Sequence, residues 1–248
     1  MWKVVALKMG ELTVAKGSIT YGRDYGQSMV IPIWAAAITG GEYNILVDTG
    51  VHDVDWVTKN VSPCRRVDDE EMVAALKAGT GWAPEDVDIV INTHLHYDHV
   101  GNNSLFTNAK FIVQEREWQA AHNPIPSQKD IYVLDLLDAI DYFSWNFVNG
   151  EEEIVPGVKV FLTPGHSDGH QSVLVKTEQG NLCISGDVSN LLENIRENIP
   201  AGILTSTKEI FESMDKVRSK ADYIFPGHEP SIQKFQSGNF PAIVDHAK

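Results

Sequence analysis

The sequence predicts an α+β fold, a four-layer αββα sandwich in which two β-sheets pack face to face between outer helices. Short strand-like runs fall into two groups, one in each half of the chain, and a segment with helical periodicity follows each group. Strands that alternated one by one with helices would instead indicate a parallel βαβ sheet. The 248 residues fit one domain over residues 1–248, and 43% of them are hydrophobic, enough for a sizeable core.

The predicted strands are runs rich in β-branched and aromatic residues, bounded by residues that favour turns. In the first half of the chain they cover residues 3–7, 32–38, 43–47, 87–92 and 110–114. In the second half they cover residues 158–162, 172–177, 181–185 and 223–225. Each group can form one sheet of the sandwich.

Helical patterns fill part of the remaining chain. Residues 68–78 open with acids and continue with apolar residues at helical spacing, and residues 206–220 begin with Ser206 as a candidate N-cap. A weaker pattern covers residues 131–140. The surrounding segment 115–149 is rich in aromatic residues and has weak strand signals, so we interpret it as a helical insertion that lines a site.

Charge and cysteine content exclude several classes of function. The net charge is −14, which argues against binding to nucleic acid or to an anionic membrane surface and favours a small-molecule substrate. The first residues lack the features of a secretory signal, and no apolar stretch is long enough to span a bilayer. Cys64 and Cys183 form no C-x-x-C pair, which suits a reducing cytoplasm and excludes a cysteine zinc site.

The most informative segment holds His94, His96, Asp98 and His99 within six residues. Three imidazoles and a carboxylate on one short loop are typical of a divalent-metal site. In an extended segment residues i and i+2 share a side, so we expect the first three side chains to converge and His99 to point elsewhere. That arrangement suits two adjacent metals better than one. The alternative is a polar loop or helix start that holds histidines by chance.

Three further polar residues follow strand-like runs farther along the chain. His166, Asp187 and His228 are each preceded by glycine, which lets backbone and ligand approach closely. A single Pro-Gly-His sequence is usually a turn with an exposed histidine. Together with the 94–99 segment, however, the three residues complete a coherent set of seven ligands.

This ordered pattern resembles the metallo-β-lactamase-fold hydrolases, from residues 47–50 through His228. The resemblance implies two metals at one edge of the sandwich, with Asp187 bridging both. It also implies the division of the other ligands: His94, His96 and His166 for one metal, and Asp98, His99 and His228 for the other. For Asp48 it implies a role in orienting the loop and its ligands, although a plain turn former before Gly50 fits equally well.

The resemblance is greatest to the N-acyl-homoserine lactonase and 4-pyridoxolactonase group, in the 31–35, 98–102 and 164–172 segments. Lactonases of this group carry a tyrosine three residues after the bridging aspartate, and this chain has Asn190 there. Lactone, ester or cyclic-amide hydrolysis is therefore expected, with the exact substrate open. The alternatives are a thioesterase of the glyoxalase II kind, a mononuclear iron dioxygenase of the same fold, or a binding protein without activity.

Nitrogen and carboxylate ligands favour two zinc ions per chain, although manganese, iron or cobalt would fit the same set. Two such metals share a water and lower its pKa from about 15.7 toward about 7. Asp98 is the candidate to pass a proton to the leaving group. Asn190 or Tyr97 is the candidate to support the oxyanion, with Tyr97 alternatively a packed aromatic. His170 either supports the metal loop or is an ordinary buried histidine.

Substrate contacts are expected from aromatic residues of the N-terminal segment and of the insertion. The candidates are Trp34, Tyr142, Phe143 and Trp145. Their alternative role is in the core or in a homodimer interface, because aromatic residues pack in cores more often than in pockets. His52, His122 and His246 follow no pattern and are interpreted as surface or loop residues.

Overall fold

The structure, a computed structural model, describes residues 1–235 and 240–243. Within these residues it contains two β-sheets, of seven and five strands, which confirms the predicted sandwich. The first sheet is ordered β4-β1-β2-β3-β5-β6-β7 and the second β12-β11-β10-β9-β8. The strands of the first sheet are β1 (Lys3–Ala15), β2 (Ser28–Thr39), β3 (Ile45–Val47), β4 (Cys64–Arg65), β5 (Ile89–Ile91), β6 (Lys110–Gln114) and β7 (Trp145–Val148). Those of the second are β8 (Glu151–Val155), β9 (Val158–Leu162), β10 (Gln171–Lys176), β11 (Asn181–Gly186) and β12 (Tyr223–Pro226).

Helices connect the strands and cover the outer faces of the sheets. They are α1 (Val54–Asn60), α2 (Met72–Thr80), α3 (Tyr97–Val100), α4 (Glu115–His122), α5 (Leu134–Asp138), α6 (Leu192–Glu197) and α7 (Thr207–Lys220). The predicted cap of α7 is present, because the Ser206 side chain accepts a hydrogen bond from the backbone N–H of Glu209. None of the helices in the described part of the chain is both long and apolar enough to cross a bilayer.

The four layers follow from alternation along the strands, since successive side chains point to opposite faces of a sheet. In β3, Ile45 and Val47 face the cluster between the two sheets, and Leu46 faces the cluster under α1, α2, α4 and α5. In β11, Leu182 and Ile184 face the same central cluster. Their neighbour Cys183 faces the cluster under α6 and α7. Each sheet thus buries both faces, one on the other sheet and one on helices.

The structure corrects several predicted boundaries. Strands β1 and β2 are longer than predicted, because they pair with each other along most of their length. The segment 68–78 divides into a 3-10 turn, Asp68–Glu70, and α2. In the insertion, residues 131–140 contain the end of a 3-10 turn, Lys129–Ile131, and the short helix α5 in place of one longer helix.

The interpretation of residues 115–149 as helical is wrong at its end, where β7 pairs in parallel with β6. Trp145 and Phe147 share the face covered by helices, and Val148 faces the central cluster, so the period is two. The strand signal is weak here because Asn146, on the same face of β7 as Val148, is polar and exposed. Strand β8, rich in glutamate, was not predicted for a similar reason.

The candidate ligands lie at the same edge of the sandwich. β3 and β5 are parallel neighbours, as are β11 and β12, so their carboxyl ends coincide within each pair. Asp48 follows β3, the 94–99 segment follows β5, Asp187 follows β11, and His228 follows β12. The topology therefore brings residues far apart in sequence to one place.

Candidate metal centre

The segment from His94 to His99 changes conformation in its middle. It is extended through His96, which has φ −70° and ψ 155°, and α3 begins at Tyr97. The prediction that Asp98 converges with His94 and His96 while His99 points away is therefore wrong. One helical turn instead carries Asp98 and His99 together to the same side of the site.

The seven candidate ligands form two groups. His94, His96 and His166, called here the first triad, have ligand atoms within 4.8 Å of one another. The second triad consists of Asp98, His99 and His228, and its ligand atoms also lie within 4.8 Å of one another. A third set of the same spacing, His94, His99 and Asp187, joins the two triads. This is the division that the resemblance implies.

Asp187 lies between the triads. Its Oδ2 is 3.5 Å from His166 Nε2 in the first triad and 3.3 Å from His228 Nε2 in the second. Its Oδ1 is 3.5 Å from His99 Nε2. A Cβ on Gly227 would come within 2.3 Å of that Oδ1, so only glycine leaves space for the carboxylate there. One carboxylate thus faces both triads.

Four of the imidazoles use Nδ1 for the protein and leave Nε2 toward the centre. His166 Nδ1 donates to Ile203 O at 3.0 Å, and His228 Nδ1 donates to Pro32 O at 2.8 Å. His99 Nδ1 is 2.7 Å from Asp48 Oδ2, and His94 Nδ1 is 3.0 Å from Thr93 Oγ1. Such contacts fix the ring orientation and the tautomer of a metal-binding histidine. In the remaining ring, His96, Nδ1 points inward instead, 3.1 Å from His166 Nε2.

Asp48 joins the two ligand loops. Besides His99, its carboxylate accepts hydrogen bonds from the backbone N–H and the hydroxyl of Thr93, each at 2.7 Å. Its φ is +58°, so it also occupies the left-handed conformation of a turn. Both alternatives for Asp48 therefore have a structural basis, and the hydrogen bonds add the orienting role to the turn.

His170 supports the shared carboxylate from behind. Its Nε2 accepts a hydrogen bond from the backbone N–H of Asp187 at 3.0 Å, and its Nδ1 is 2.9 Å from Thr163 Oγ1. Burial, and next the nearby His166, lower the pKa of His170 to about 3, so the ring is neutral and able to accept. Of the two predicted roles, the contact to Asp187 favours support of the metal loop.

The electrostatics of the site suit metal ligands. Burial lowers the pKa of each imidazole in the first triad, so these rings are neutral. Burial alone would raise the pKa of Asp187, but His228, His99 and His166 hold it well below its ordinary value. Neutral imidazole and ionised carboxylate are the forms that bind a metal.

Two rings of the second triad behave differently. Burial would lower the pKa of His99, but Asp48, Asp187 and Asp98 raise it to about 10. Burial acts in the same way on His228, and Asp187 and Asp98 raise its pKa. A raised pKa favours the protonated ring, so a divalent ion that binds at the second triad competes with protons.

The other predicted site residues lie in different surroundings. Asn190 is buried, its Oδ1 has no hydrogen-bond partner among the described residues, and its backbone oxygen accepts from the His228 N–H at 2.9 Å. Tyr97 is buried and packs against Trp56, with ring centroids 6.2 Å apart. Burial raises its pKa well above the ordinary value, so the phenol stays neutral. His246 lies outside the described residues.

The structure does not bring the four predicted substrate-binding aromatics together. Trp34 lies in the central cluster, where its Nε1 donates to Glu229 O at 3.1 Å. Trp145 packs in the core against Phe111. Tyr142 and Phe143 are 58% and 92% exposed on the surface. Trp34 also borders a small cavity that Asp48 and His99 line, so a substrate contact of these aromatic residues stays a prediction.

A half-open pocket of about 200 Å³ lies beside Tyr97 instead. Its lining is mostly apolar and includes Trp56, Val57, Val133 and Leu136. These residues carry no distinctive signal in the sequence, because apolar residues on a helix have the same pattern in a pocket as in a core. The buried Glu117 likewise belongs to no sequence motif.

Comparison with known proteins places this geometry in a family. The model of the metallo-beta-lactamase superfamily matches residues 29–228. The chain belongs to the metallo-beta-lactamase superfamily. This match confirms the family inferred from the ligand pattern and covers all seven candidate ligands.

Relatives within the superfamily include lactonases. The N-acyl homoserine lactonase AiiA of Bacillus thuringiensis subsp. kurstaki is 29% identical over 249 residues, which cover 94% of this chain and 95% of the relative. The N-acyl homoserine lactonase AttM of Rhizobium radiobacter is 31% identical over 192 residues, which cover 73% and 70%. A solved N-acyl homoserine lactone hydrolase with the product N-hexanoyl-L-homoserine at its catalytic metal center has a TM-score of 0.82, 28% identity, and coverage of 94% and 95%.

Proposed function

We propose that this protein is a dinuclear metal-dependent hydrolase that opens a lactone ring. The observation that carries the proposal is the position of Asp187, whose carboxylate faces His166 on one side and His228 on the other at 3.5 and 3.3 Å. A carboxylate shared by two sets of three ligands is the arrangement that holds two metals close together. The lactonase relatives support the reaction class.

The residues fit two divalent ions. Nε2 of His94 and His99 and Oδ1 of Asp187 are buried without a hydrogen-bond partner among the described residues. Such atoms are costly to bury unless they bind something, and all of them point into the centre. Imidazole and carboxylate ligands suit zinc, which we propose as the metal. When bound, the ions polarise the substrate carbonyl and lower the pKa of a water.

Protein side chains carry the remaining steps. Asp98 stands in the second triad, with Oδ2 3.8 Å from His228 Nε2, and we assign it the transfer of a proton to the leaving alkoxide. Asn190 follows the shared carboxylate by three residues, and we assign its amide a hydrogen bond to the substrate. Tyr97 stays a packed neutral ring that borders the pocket.

The substrate class proposed is a lactone with an apolar substituent. The lactone ring would lie beside the residues of the two triads, and the substituent would occupy the pocket lined by Tyr97, Trp56 and Leu136. The relatives named as N-acyl homoserine lactonases support a lactone with an acyl chain. Asn190 is the reason to test other lactones beside these.

Three further features stay proposals. Both cysteines are free, which suits the cytoplasm. A homodimer is compatible with the exposed aromatic side chains of Tyr142 and Phe143. One domain over residues 1–248 is the arrangement we propose for the chain.

Metal analysis combined with a substrate screen tests the proposed function. The purified protein is assayed for zinc, manganese, iron and cobalt, and then against lactones of increasing chain length, cyclic amides and thioesters. We expect about two ions per chain and hydrolysis of lactones that is lost on chelation and regained with zinc. A single iron per chain, or thioester hydrolysis alone, would contradict the proposal.

A further inference from the structure

Glu117 is the buried acid of α4 that no metal triad contains. It is the third residue of the helix and is fully buried. Its carboxylate accepts four hydrogen bonds, so both oxygens are satisfied. Burial of a carboxylate is unfavourable, and four donors make it tolerable only in one fixed position.

Three of the four donors come from the two loops that carry the first triad. Glu117 Oε1 accepts from the backbone N–H of Leu95, at 3.0 Å, between His94 and His96. Glu117 Oε2 accepts from Ser167 Oγ at 2.7 Å and from the backbone N–H of Gly169 at 2.9 Å, just after His166. A single carboxylate therefore spans both loops.

The fourth donor extends the contact to a ligand ring. Tyr132 Oη donates to Glu117 Oε1 at 3.0 Å, and the Tyr132 ring packs edge-on against His96 with centroids 4.7 Å apart. The backbone of α4 also packs directly against the 166–169 loop, since a Cβ on Gly169 would come within 2.0 Å of Glu117 N. The second triad has other supports: Asp48 beside His99 and Pro32 O beside His228.

We infer that Glu117 is a positioning residue for the metal of the first triad and sets the spacing between the 94–96 loop and the 166–169 loop. It touches no ligand atom and acts through Leu95, Ser167, Gly169 and Tyr132. The inference rests on the proposed dinuclear site. Binding of the metal at the first triad then depends on α4, and binding of the metal at the second triad does not. The loss of Glu117 should therefore weaken the binding of one ion and leave the binding of the other unchanged.

Glu117→Gln is the sharpest perturbation. The amide keeps the size of the side chain but turns one acceptor oxygen into an NH₂ donor, which then faces N–H or O–H donors. The matched control is Glu115→Gln, an exposed acid in the first turn of the same helix. Both changes remove one negative charge, so a difference between them reports the buried contacts.

Stepwise zinc binding, measured by titration against a chelator of known affinity, gives the readout. We expect Glu117→Gln to lower the affinity for one of the two zinc ions by about 10–100-fold, the usual effect of losing a group that orients ligands. Glu115→Gln should change neither affinity. Two backgrounds identify the ion. With His228→Ala, which leaves the first triad, Glu117→Gln should weaken the remaining zinc, and with His96→Ala it should not.

Equal weakening in both backgrounds, or none in either, overturns the inference. If Glu117→Gln does not fold, Tyr132→Phe and Ser167→Ala each remove one donor and should weaken the same ion by a smaller factor. The binding readout needs no substrate. A selective effect without lactone hydrolysis would therefore sustain the inference and reject the proposed function, and hydrolysis with unchanged binding would do the reverse.

Discussion

Replacing Asp48 by asparagine separates its two roles. As a turn former, Asp48 needs only to adopt φ +58°, and asparagine tolerates that conformation as well as aspartate does. As the group that orients His99 and Thr93, it needs two acceptor oxygens. The substitution keeps the turn and removes one acceptor. The turn role therefore predicts unchanged zinc affinity, and the orienting role predicts a lower one.

The magnitude follows from the hydrogen bonds. The carboxylate of Asp48 accepts three of them at 2.7 Å, one from His99 Nδ1 and two from Thr93. An asparagine oxygen in the place of Oδ2 keeps the contacts to His99 Nδ1 and Thr93 Oγ1, but the NH₂ group then faces the backbone N–H of Thr93. In the opposite orientation the oxygen keeps only that N–H, and the NH₂ group faces His99 Nδ1. Losing one hydrogen bond to a charged group costs about 1.5–3 kcal/mol.

That energy corresponds to about 10–100-fold in zinc affinity, because 1.4 kcal/mol is a factor of ten. Chelator-competition titration and lactone hydrolysis should both decline in Asp48→Asn, and far-UV circular dichroism should stay unchanged. Asp24→Asn is the matched control, since Asp24 also has positive φ, at +53°, and pairs with Lys16 outside the site. Normal zinc affinity in Asp48→Asn would refute the orienting role and leave Asp48 as a turn former.

Four other outcomes test the site. Asp187→Asn should abolish hydrolysis and reduce bound zinc below two ions per chain while the fold survives, and full activity after chelation would contradict this. Gly227→Ala should reduce activity at least tenfold by displacing Asp187 Oδ1, 2.3 Å from the new methyl, whereas Gly17→Ala, with contacts no closer than 3.3 Å, should not. Zinc uptake at pH 8 should release at least one proton per chain, because the raised pKa of His99, about 10, keeps the ring protonated until the metal binds. Zinc affinity should then rise with pH up to about that value. Calorimetry in two buffers of different ionisation enthalpy measures the proton release. Asn190→Leu should lower kcat without changing the amount of bound zinc, and an unchanged kcat would exclude a catalytic role. The same substitution should raise the free energy of unfolding by about 1 kcal/mol, because it removes a buried oxygen that has no hydrogen-bond partner.

The metal-ligand candidates could be predicted from sequence because each ligand follows a strand and the order of the motifs is preserved. Most of the strands could also be predicted, because a short apolar run is a local signal, as in β3 and β11. Local patterns fail where polarity interrupts alternation, as at Asn146 in β7. They also fail where a helix begins inside a motif, as at Tyr97, which reversed the expected direction of His99.

The groups that orient the ligands could not be predicted, because most of them have no residue signature. Ile203 and Pro32 hold two of the rings through backbone oxygens, which any residue could supply. Glu117 looks in sequence like a first-turn acid of an exposed helix, the usual role of glutamate at that place. Its donors are 15 to 52 residues away, so only the tertiary structure shows that it is buried. The candidate ligands can therefore be proposed from sequence, but the groups that orient them depend on the packing around the site.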